Sequence, residues 1–179
     1  MPRPTILALS GSTRQTSVNK VILDFIRTTY ATNYDITVYD KLADLPYFNP
    51  DRTDGEHLPP MVREFLSLIE NAAGVIICTP EYVFSLPGIL KNAIEWTVAT
   101  TVFQDKPLAM IVASLSGQKA FESLDLIMTT VGAKMTPVSK LLITGAYSKL
   151  DKASNTLDET TIALLKDLML SFQELVPQS

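Results

Sequence analysis

Near the start of the chain, residues 9–19 combine glycine, hydroxyl, amide and cationic side chains in the order LSGSTRQTSVN. An apolar run precedes this stretch and apolar residues at helical spacing follow it, which predicts a strand, a loop and then a helix. The backbone N–H groups of such a loop and the positive end of the helix dipole converge on one point, and this favours a bound anion. The side chains add donors for the same anion: Ser10, Ser12, Arg14, Ser17 and Asn19. The alternative interpretation is an ordinary helix start, with Ser17 as its N-cap and the other hydroxyls in water.

The kind of anion follows from the glycine content of this loop. Gly11 is its one glycine, so the loop lacks both the G-x-G-x-x-G dinucleotide pattern and the G-x-x-x-x-G-K-[ST] pattern of P-loops. A hydroxyl-rich loop with a single glycine suits a terminal phosphate monoester, such as that of FMN, better than a buried pyrophosphate.

A second candidate binding loop reads TPEYVFSLPG at residues 79–88, after a continuous apolar run. Pro80, Tyr82 and Phe84 would supply the flat, partly apolar wall that an isoalloxazine ring needs, and the N–H groups of Glu81 and Tyr82 would face its polar edge. Packing of the aromatic side chains beneath the loop is the alternative. We expect the Glu81 carboxylate to lie in solvent or at an interface rather than act as a base, because hydride transfer to a flavin needs no protein base.

The helix after this second loop has an apolar face of its own. Ser85 is expected to cap it, with Pro87 in its first turn, where the missing N–H costs nothing. Asn92 and Trp96 lie on the same helix, and we expect them in core or interface packing.

Other reactive residue types are scarce. Cys78 is the one cysteine, which excludes an internal disulfide and multi-cysteine metal sites, and we expect it to be a buried apolar residue rather than a reactive thiol. His57 is the one histidine and has no nucleophile near it in sequence, so we expect no chemical role for it.

Composition limits the class of protein. The chain has 179 residues, 46% of them hydrophobic and 19% charged, which is typical of a single compact domain, here taken as residues 1–179. The net charge of −4 and the lack of basic clusters disfavour nucleic acid as a partner. No apolar run approaches the roughly 20 residues of a membrane span, and the N-terminus shows no signal-peptide pattern. With one cysteine, these features predict a cytoplasmic protein with no membrane partner.

Apolar runs alternate with helical patterns along the chain, which predicts β-α-β units and a parallel sheet inside an α/β three-layer sandwich. Strands are expected at residues 5–9, 36–39, 74–78 and 108–113, with a fifth between 135 and 143. Helices are expected at residues 17–30, from 60, after 88, at 119–131 and from about 158, with a polar linker at 145–157. The loops after strands one, three and four open at the same edge of such a sheet, so they should form one site.

The two motifs at residues 11–19, GSTRQTSVN, and 79–96, TPEYVFSLPGILKNAIEW, resemble those of the NAD(P)H-dependent FMN reductases. That flavodoxin-like family also includes quinone, chromate and azo-dye reductases. The separation of the motifs and the order of elements match over nearly the whole chain. The chain differs from the family pattern at Val83, where Asn is usual, and in the loop at residues 114–120, which is usually richer in glycine.

The resemblance implies a flavodoxin-like fold with FMN as cofactor, NADPH or NADH as co-substrate, and a small-molecule electron acceptor such as a flavin, quinone, azo compound or metal oxyanion. Hydride transfer on the flavin requires no catalytic side chain and no metal. Family members are commonly dimers or tetramers, so a homodimer or homotetramer is expected. The residues that we assign to cofactor binding come from three loops: Ser10, Ser12, Arg14, Ser17, Val18, Asn19, Pro80, Glu81, Tyr82, Val83, Ser114, Ser116 and Gly117.

Two alternatives stay open at this point. One is a flavodoxin-like electron carrier that binds FMN without NAD(P)H activity of its own. Such carriers tend to be strongly acidic on their docking face, and a net charge of −4 with interspersed cations argues mildly against this class. The other is a family member that keeps the fold without tight flavin binding.

Overall fold

Five parallel strands form the central sheet of the protein, which the computed structural model describes over residues 2–14, 16–151 and 154–177. The strands lie in the spatial order β2-β1-β3-β4-β5. Their bounds are Thr5–Ser10 for β1, Asp35–Tyr39 for β2, Gly74–Thr79 for β3, Leu108–Ala113 for β4 and Lys140–Ile143 for β5. The sequence placed all five strands, and each is found within two residues of its expected position or inside its expected window.

Helices connect the strands and cover both faces of the sheet. They are α1 at Val18–Thr29, α2 at Pro60–Asn71, α3 at Gly88–Glu95, α4 at Gln118–Thr130 and α5 at Glu159–Leu175. Short 3-10 helices lie at Leu42–Asp44, Pro50–Arg52 and Ala146–Lys149. Ser17 caps α1 by accepting a hydrogen bond from the Lys20 N–H, so the capping interpretation is correct for this side chain.

The alternation of side chains along each strand divides the core into two layers. Leu7, Leu9 and Ile77 face a layer packed beneath α2, α3 and α4. Ile6 and Ala8 face the opposite layer, beneath α1 and α5. Because strands β3 and β4 are buried along their whole length, their sequences are apolar runs rather than alternating patterns. The predicted three-layer α/β sandwich is thus confirmed.

The structure corrects two expectations about local structure. The stretch taken as a polar linker contains the 3-10 helix at Ala146–Lys149 and a small antiparallel pair, β6 at Leu150–Asp151 and β7 at Thr156–Leu157. Among the described residues of this stretch, the apolar Ala146 and Leu157 are buried in the core and so anchor it to the sheet. Ser85 does not cap α3, whose N-cap is Pro87.

Asn92 and Trp96 pack against other parts of the same chain, in agreement with the expectation of core packing rather than interface packing. Trp96 is buried and donates its indole N–H to the Pro46 carbonyl at 2.8 Å, which the Asn92 amide also contacts at 3.1 Å. The Asn92 side-chain oxygen accepts from the Phe48 N–H. These bonds hold the proline-containing loop against α3. Within the described residues, no helix has both the length and the apolar character needed to cross a membrane.

Candidate functional site

The carboxyl ends of β1, β3, β4 and β5 meet around a cavity of about 180 Å³. In the strand order β2-β1-β3-β4-β5, the topological switch point lies between β1 and β3. Ligands of open α/β sheets bind at this point, outside the carboxyl ends of the strands. The predicted site residues that line this cavity come from three loops: Ser12, Arg14, Ser17, Val18, Asn19, Pro80, Glu81, Tyr82 and Ser114.

The first loop presents hydroxyl groups on a backbone that bends sharply. The Ser12 N–H donates to Ser10 Oγ at 3.3 Å, and the Arg14 N–H donates to Ser12 Oγ at 3.3 Å. Since Ser12 Oγ accepts this bond, its own hydrogen stays available for an anion. Gly11 lies against the end of β3, where an added Cβ would come within 2.1 Å of Thr79 Oγ1. Only glycine allows the loop to approach β3 this closely.

Asn19 does not lie in the cavity as a free donor. Its side chain is 4% exposed, and its amide nitrogen donates to the Ala113 carbonyl at 3.2 Å. Its side-chain oxygen accepts from Cys78 Sγ at 3.3 Å. Asn19 therefore joins the start of α1 to the ends of β3 and β4, and it orders the site by holding these three elements together.

Cys78 is fully buried in the strand interior, as expected from its sequence position. Burial raises the pKa of the Cys78 thiol, because a thiolate in apolar surroundings loses its hydration. The thiol is therefore kept in its protonated, weakly reactive form.

The second loop forms a tight turn at the mouth of the cavity. Tyr82 and Ser85 exchange two backbone hydrogen bonds, at 3.0 and 3.1 Å, around a two-residue tip. Val83 and Phe84 at this tip have φ angles of 51° and 57°, an unusual conformation for a β-branched and an aromatic residue. Their side chains are 94% and 76% exposed, and neither residue lines the cavity. This corrects both the assignment of Val83 to cofactor binding and the expectation that Phe84 forms part of the apolar wall.

Glu81 corrects the expectation of a solvated or interfacial carboxylate. Its Oε2 accepts the backbone N–H groups of Lys119 at 2.9 Å and Ala120 at 3.0 Å, in the first turn of α4. The carboxylate thus caps α4 from another segment of the chain, because negative charge is favoured at a helix N-terminus. Glu81 joins the second loop to α4.

The third loop is joined to the segment that follows β5. The Ala146 N–H donates to the Ser114 carbonyl and the Gly145 N–H to the Leu115 carbonyl, both at 2.9 Å. Ser114 lines the cavity, whereas Ser116 and Gly117 do not. Gly117 instead begins α4 with a φ of 88°, where a side chain would come within 2.8 Å of Leu142 Cδ1.

Sequence reasoning missed four lining residues: Ala113, Leu115, Ala146 and Tyr147. Ala146 and Tyr147 fall in the stretch interpreted as a linker. Their signal is their position directly after the fifth strand, whose carboxyl end opens at the same edge as the other three. The Tyr147 hydroxyl accepts a hydrogen bond from Arg14 Nη1 at 3.0 Å, across the mouth of the cavity.

A second cavity, of about 420 Å³, lies on the other side of the first loop. It shares Ser12 and Arg14 with the first cavity and also contains Ser10. Its far wall mixes cations with carboxylates, namely Lys20, Asp24, Arg27 and Asp40. Of the two cavities, the smaller one has the donors of the first loop and the apolar groups of the second loop together.

Known proteins resemble the chain over most of its length. The family model described as NADPH-dependent FMN reductase matches residues 4–148. A protein of Lactobacillus johnsonii named NADH-dependent flavin reductase subunit 2 is 30% identical over 185 aligned residues, covering 97% of this chain and 98% of that protein. A protein of Vibrio ruber named NADH:(hydroxy)cinnamate reductase subunit CrdA is 29% identical, covering 93% of this chain and 84% of that protein.

A solved structure extends the likeness to three dimensions. FerB of Paracoccus denitrificans, described as a flavoenzyme NAD(P)H:(acceptor) oxidoreductase, superposes with a TM-score of 0.83 at 24% sequence identity, covering 97% of both chains. At this identity the structure supports the fold, and the family assignment rests on the match at residues 4–148. The chain therefore belongs to the NADPH-dependent FMN reductase family, whose members are oxidoreductases that use FMN and a nicotinamide donor.

Proposed function

We propose that this protein is an NAD(P)H-dependent FMN oxidoreductase that reduces a small electron acceptor, and that the cavity of about 180 Å³ holds the flavin. The observation that carries the proposal is the pairing of an anion-binding loop with an apolar, aromatic-lined loop in one cavity. The donor set fits FMN: hydroxyls and a guanidinium lie at the start of α1, and Pro80 and Tyr82 lie opposite them.

The first loop has the role of binding the phosphate. Ser12 and Ser17 carry hydroxyls at the N-terminus of α1, and Arg14 adds a guanidinium that can contact two phosphate oxygens. The Glu81 carboxylate also lines the cavity, but its Oε2 is bonded to the amides of α4, which partly neutralises its effect on an anion. The start of α1 therefore offers a phosphate the Arg14 guanidinium, the hydroxyls and the positive end of the helix dipole.

The second and third loops have the role of orienting the ring. The cavity of about 180 Å³ is smaller than the ~300–1,000 Å³ of pockets that bury most of a ligand's surface, so the flavin would be only partly covered. When bound, FMN would supply the redox chemistry, namely acceptance of hydride from a nicotinamide donor and transfer of electrons to the acceptor. Tyr82 and Ser114 line the cavity and would orient the ring there, and orientation of the ring and its reactants would provide the catalysis.

Oligomeric state and location form part of the proposal. We propose a homodimer or homotetramer in which the exposed tip at Val83 and Phe84 contacts a second copy, supported by its 94% and 76% exposed apolar side chains. We also propose a cytoplasmic location and a single functional domain over residues 1–179, supported by the lone, reduced cysteine and by the two apolar layers that share one sheet.

An anaerobic visible spectrum with one equivalent of FMN, recorded before and after addition of NADPH or NADH, tests the function. Bleaching of the bound flavin within seconds is expected. A flavin that binds and stays yellow with both donors would favour an electron carrier reduced by another protein. A chain that binds no flavin would overturn the proposal. The family match favours the enzyme over the carrier.

A further inference from the structure

Among the described residues, Tyr147 is the one whose phenol hydroxyl forms a hydrogen bond with Arg14, the cation that lines the candidate site. Its Oη accepts a hydrogen bond from Arg14 Nη1 at 3.0 Å, although the two residues are 133 positions apart in sequence. Both side chains line the same cavity. The contact therefore links the first loop to the segment after β5, on opposite sides of the cavity mouth.

The backbone of Tyr147 is held in place on the β5 side. Gly145, with a φ of 61°, turns the chain after β5, and the N–H groups of Gly145 and Ala146 are bonded to the carbonyls of Leu115 and Ser114. Ala146 is buried, and the Ser148 hydroxyl donates to the Gly145 carbonyl at 2.8 Å. The phenol is thus attached to a fixed segment, while its own side chain is 53% exposed and reaches across to Arg14.

Arg14, in contrast, lies on an exposed part of the first loop. A free arginine side chain samples many rotamers, and it must lose that freedom when it binds an anion. The hydrogen bond to Tyr147 restricts the guanidinium before any ligand arrives. The guanidinium has five N–H donors, so after the bond to Tyr147 it keeps others for the oxygen atoms of an anion.

We propose that Tyr147 is a positioning residue for the flavin phosphate, which holds the Arg14 guanidinium over the first loop and thereby increases the preference for FMN over riboflavin. This inference rests on the proposed function, since it assumes a flavin in the cavity. It assigns a role to a residue outside both sequence motifs. Its effect is restricted to ligands that carry a phosphate, because neither Arg14 nor the phenol hydroxyl is needed to hold a neutral ring.

The test compares Tyr147→Phe with the wild type in binding FMN and riboflavin, measured by quenching of flavin fluorescence. Loss of one hydrogen bond is expected to raise the Kd for FMN by about three- to tenfold, while the Kd for riboflavin stays within about twofold, less than the loss of one hydrogen bond produces. In an Arg14→Ala background, Tyr147→Phe should have no further effect, because the residue acts through the guanidinium. Tyr30→Phe is the matched control, since Tyr30 caps the opposite end of α1, and it should bind both flavins as the wild type does.

The possible results separate this proposal from the proposed function. An unchanged Kd for FMN in Tyr147→Phe, or an equal loss for FMN and riboflavin, would overturn the role of Tyr147 and leave the function standing. A Tyr147→Phe effect that persists without Arg14 would also overturn it. A wild-type protein that binds neither flavin would overturn the function and, with it, this inference.

Discussion

Arg14 is the cation that the candidate site places beside the hydroxyls of the first loop. We expect Arg14→Ala to weaken FMN binding by about 1.5–3 kcal/mol, the range for a hydrogen bond to a charged group. Arg14→Lys should lose less, because it keeps the charge but not the planar pair of donors. Titration of each purified variant with FMN measures the effect. An unchanged dissociation constant in Arg14→Ala would move this residue away from the phosphate.

The surroundings of Cys78 lower the reactivity of its thiol. Burial raises the pKa of the thiol, so the reactive thiolate stays rare even at mildly alkaline pH. We expect iodoacetamide at pH 8 to leave the native protein unmodified and to alkylate Cys78 fully in denaturant. Mass spectrometry of the intact chain distinguishes the two states. Rapid alkylation of the native protein would contradict the burial of this side chain.

At the scale of elements, the Glu81 carboxylate fastens the second loop to the first turn of α4. We expect Glu81→Ala to lower the free energy of unfolding by about 1–2 kcal/mol, since two backbone N–H groups lose a charged acceptor. Glu81→Gln should lose less, because it keeps a neutral oxygen there. Urea denaturation gives the values. Glu95→Ala is the control: Glu95 makes an exposed ion pair with Lys91, and its loss should cost no more than about 0.5 kcal/mol.

The N-cap of α5 predicts a pH dependence. The Asp158 carboxylate accepts the Thr161 N–H at 2.7 Å, and this bond is the main cause that lowers the pKa of Asp158. A lowered pKa in the folded protein stabilises it above the pKa of the unfolded chain, and the stabilisation is lost as the pH falls through the folded pKa. Asp158→Ala should therefore lower the melting temperature at pH 7, and the difference from the wild type should shrink toward low pH. A difference that is the same at pH 7 and pH 3 would contradict this account.

Sequence reasoning succeeded for the elements whose signals are local. The apolar runs at β3 and β4 and the helical spacing along α1 each lie within one segment, and the structure confirms them. The acceptor role of Glu81 and the contact between Tyr147 and Arg14 were not predictable, because each depends on a partner far away in the chain. Asn19 was predicted at the site, yet its amide is used to join strands, which depends on how closely α1 packs on β3 and β4.

At the scale of the whole molecule, the tip of the second loop exposes apolar side chains on a conformation that Val and Phe rarely adopt. We expect light scattering to show a mass of two or four chains, and Val83→Asp to shift it toward one. Asp tolerates positive φ better than Val, so the variant should remain folded. Leu170→Asp, on an exposed position of α5, is the control and should keep the wild-type mass. A monomeric wild type would refute the proposed assembly.

The cavity wall is built by segments that follow β1, β3, β4 and β5. A molecule bound there contacts the segments that follow four of the strands, so unfolding that separates these segments also releases the molecule. By mass action, a ligand at 100 times its Kd adds about 2.7 kcal/mol to the stability of the protein. Resistance to heat and to proteases would then rise and fall with the supply of flavin, and the amount of this protein in a cell would follow its cofactor.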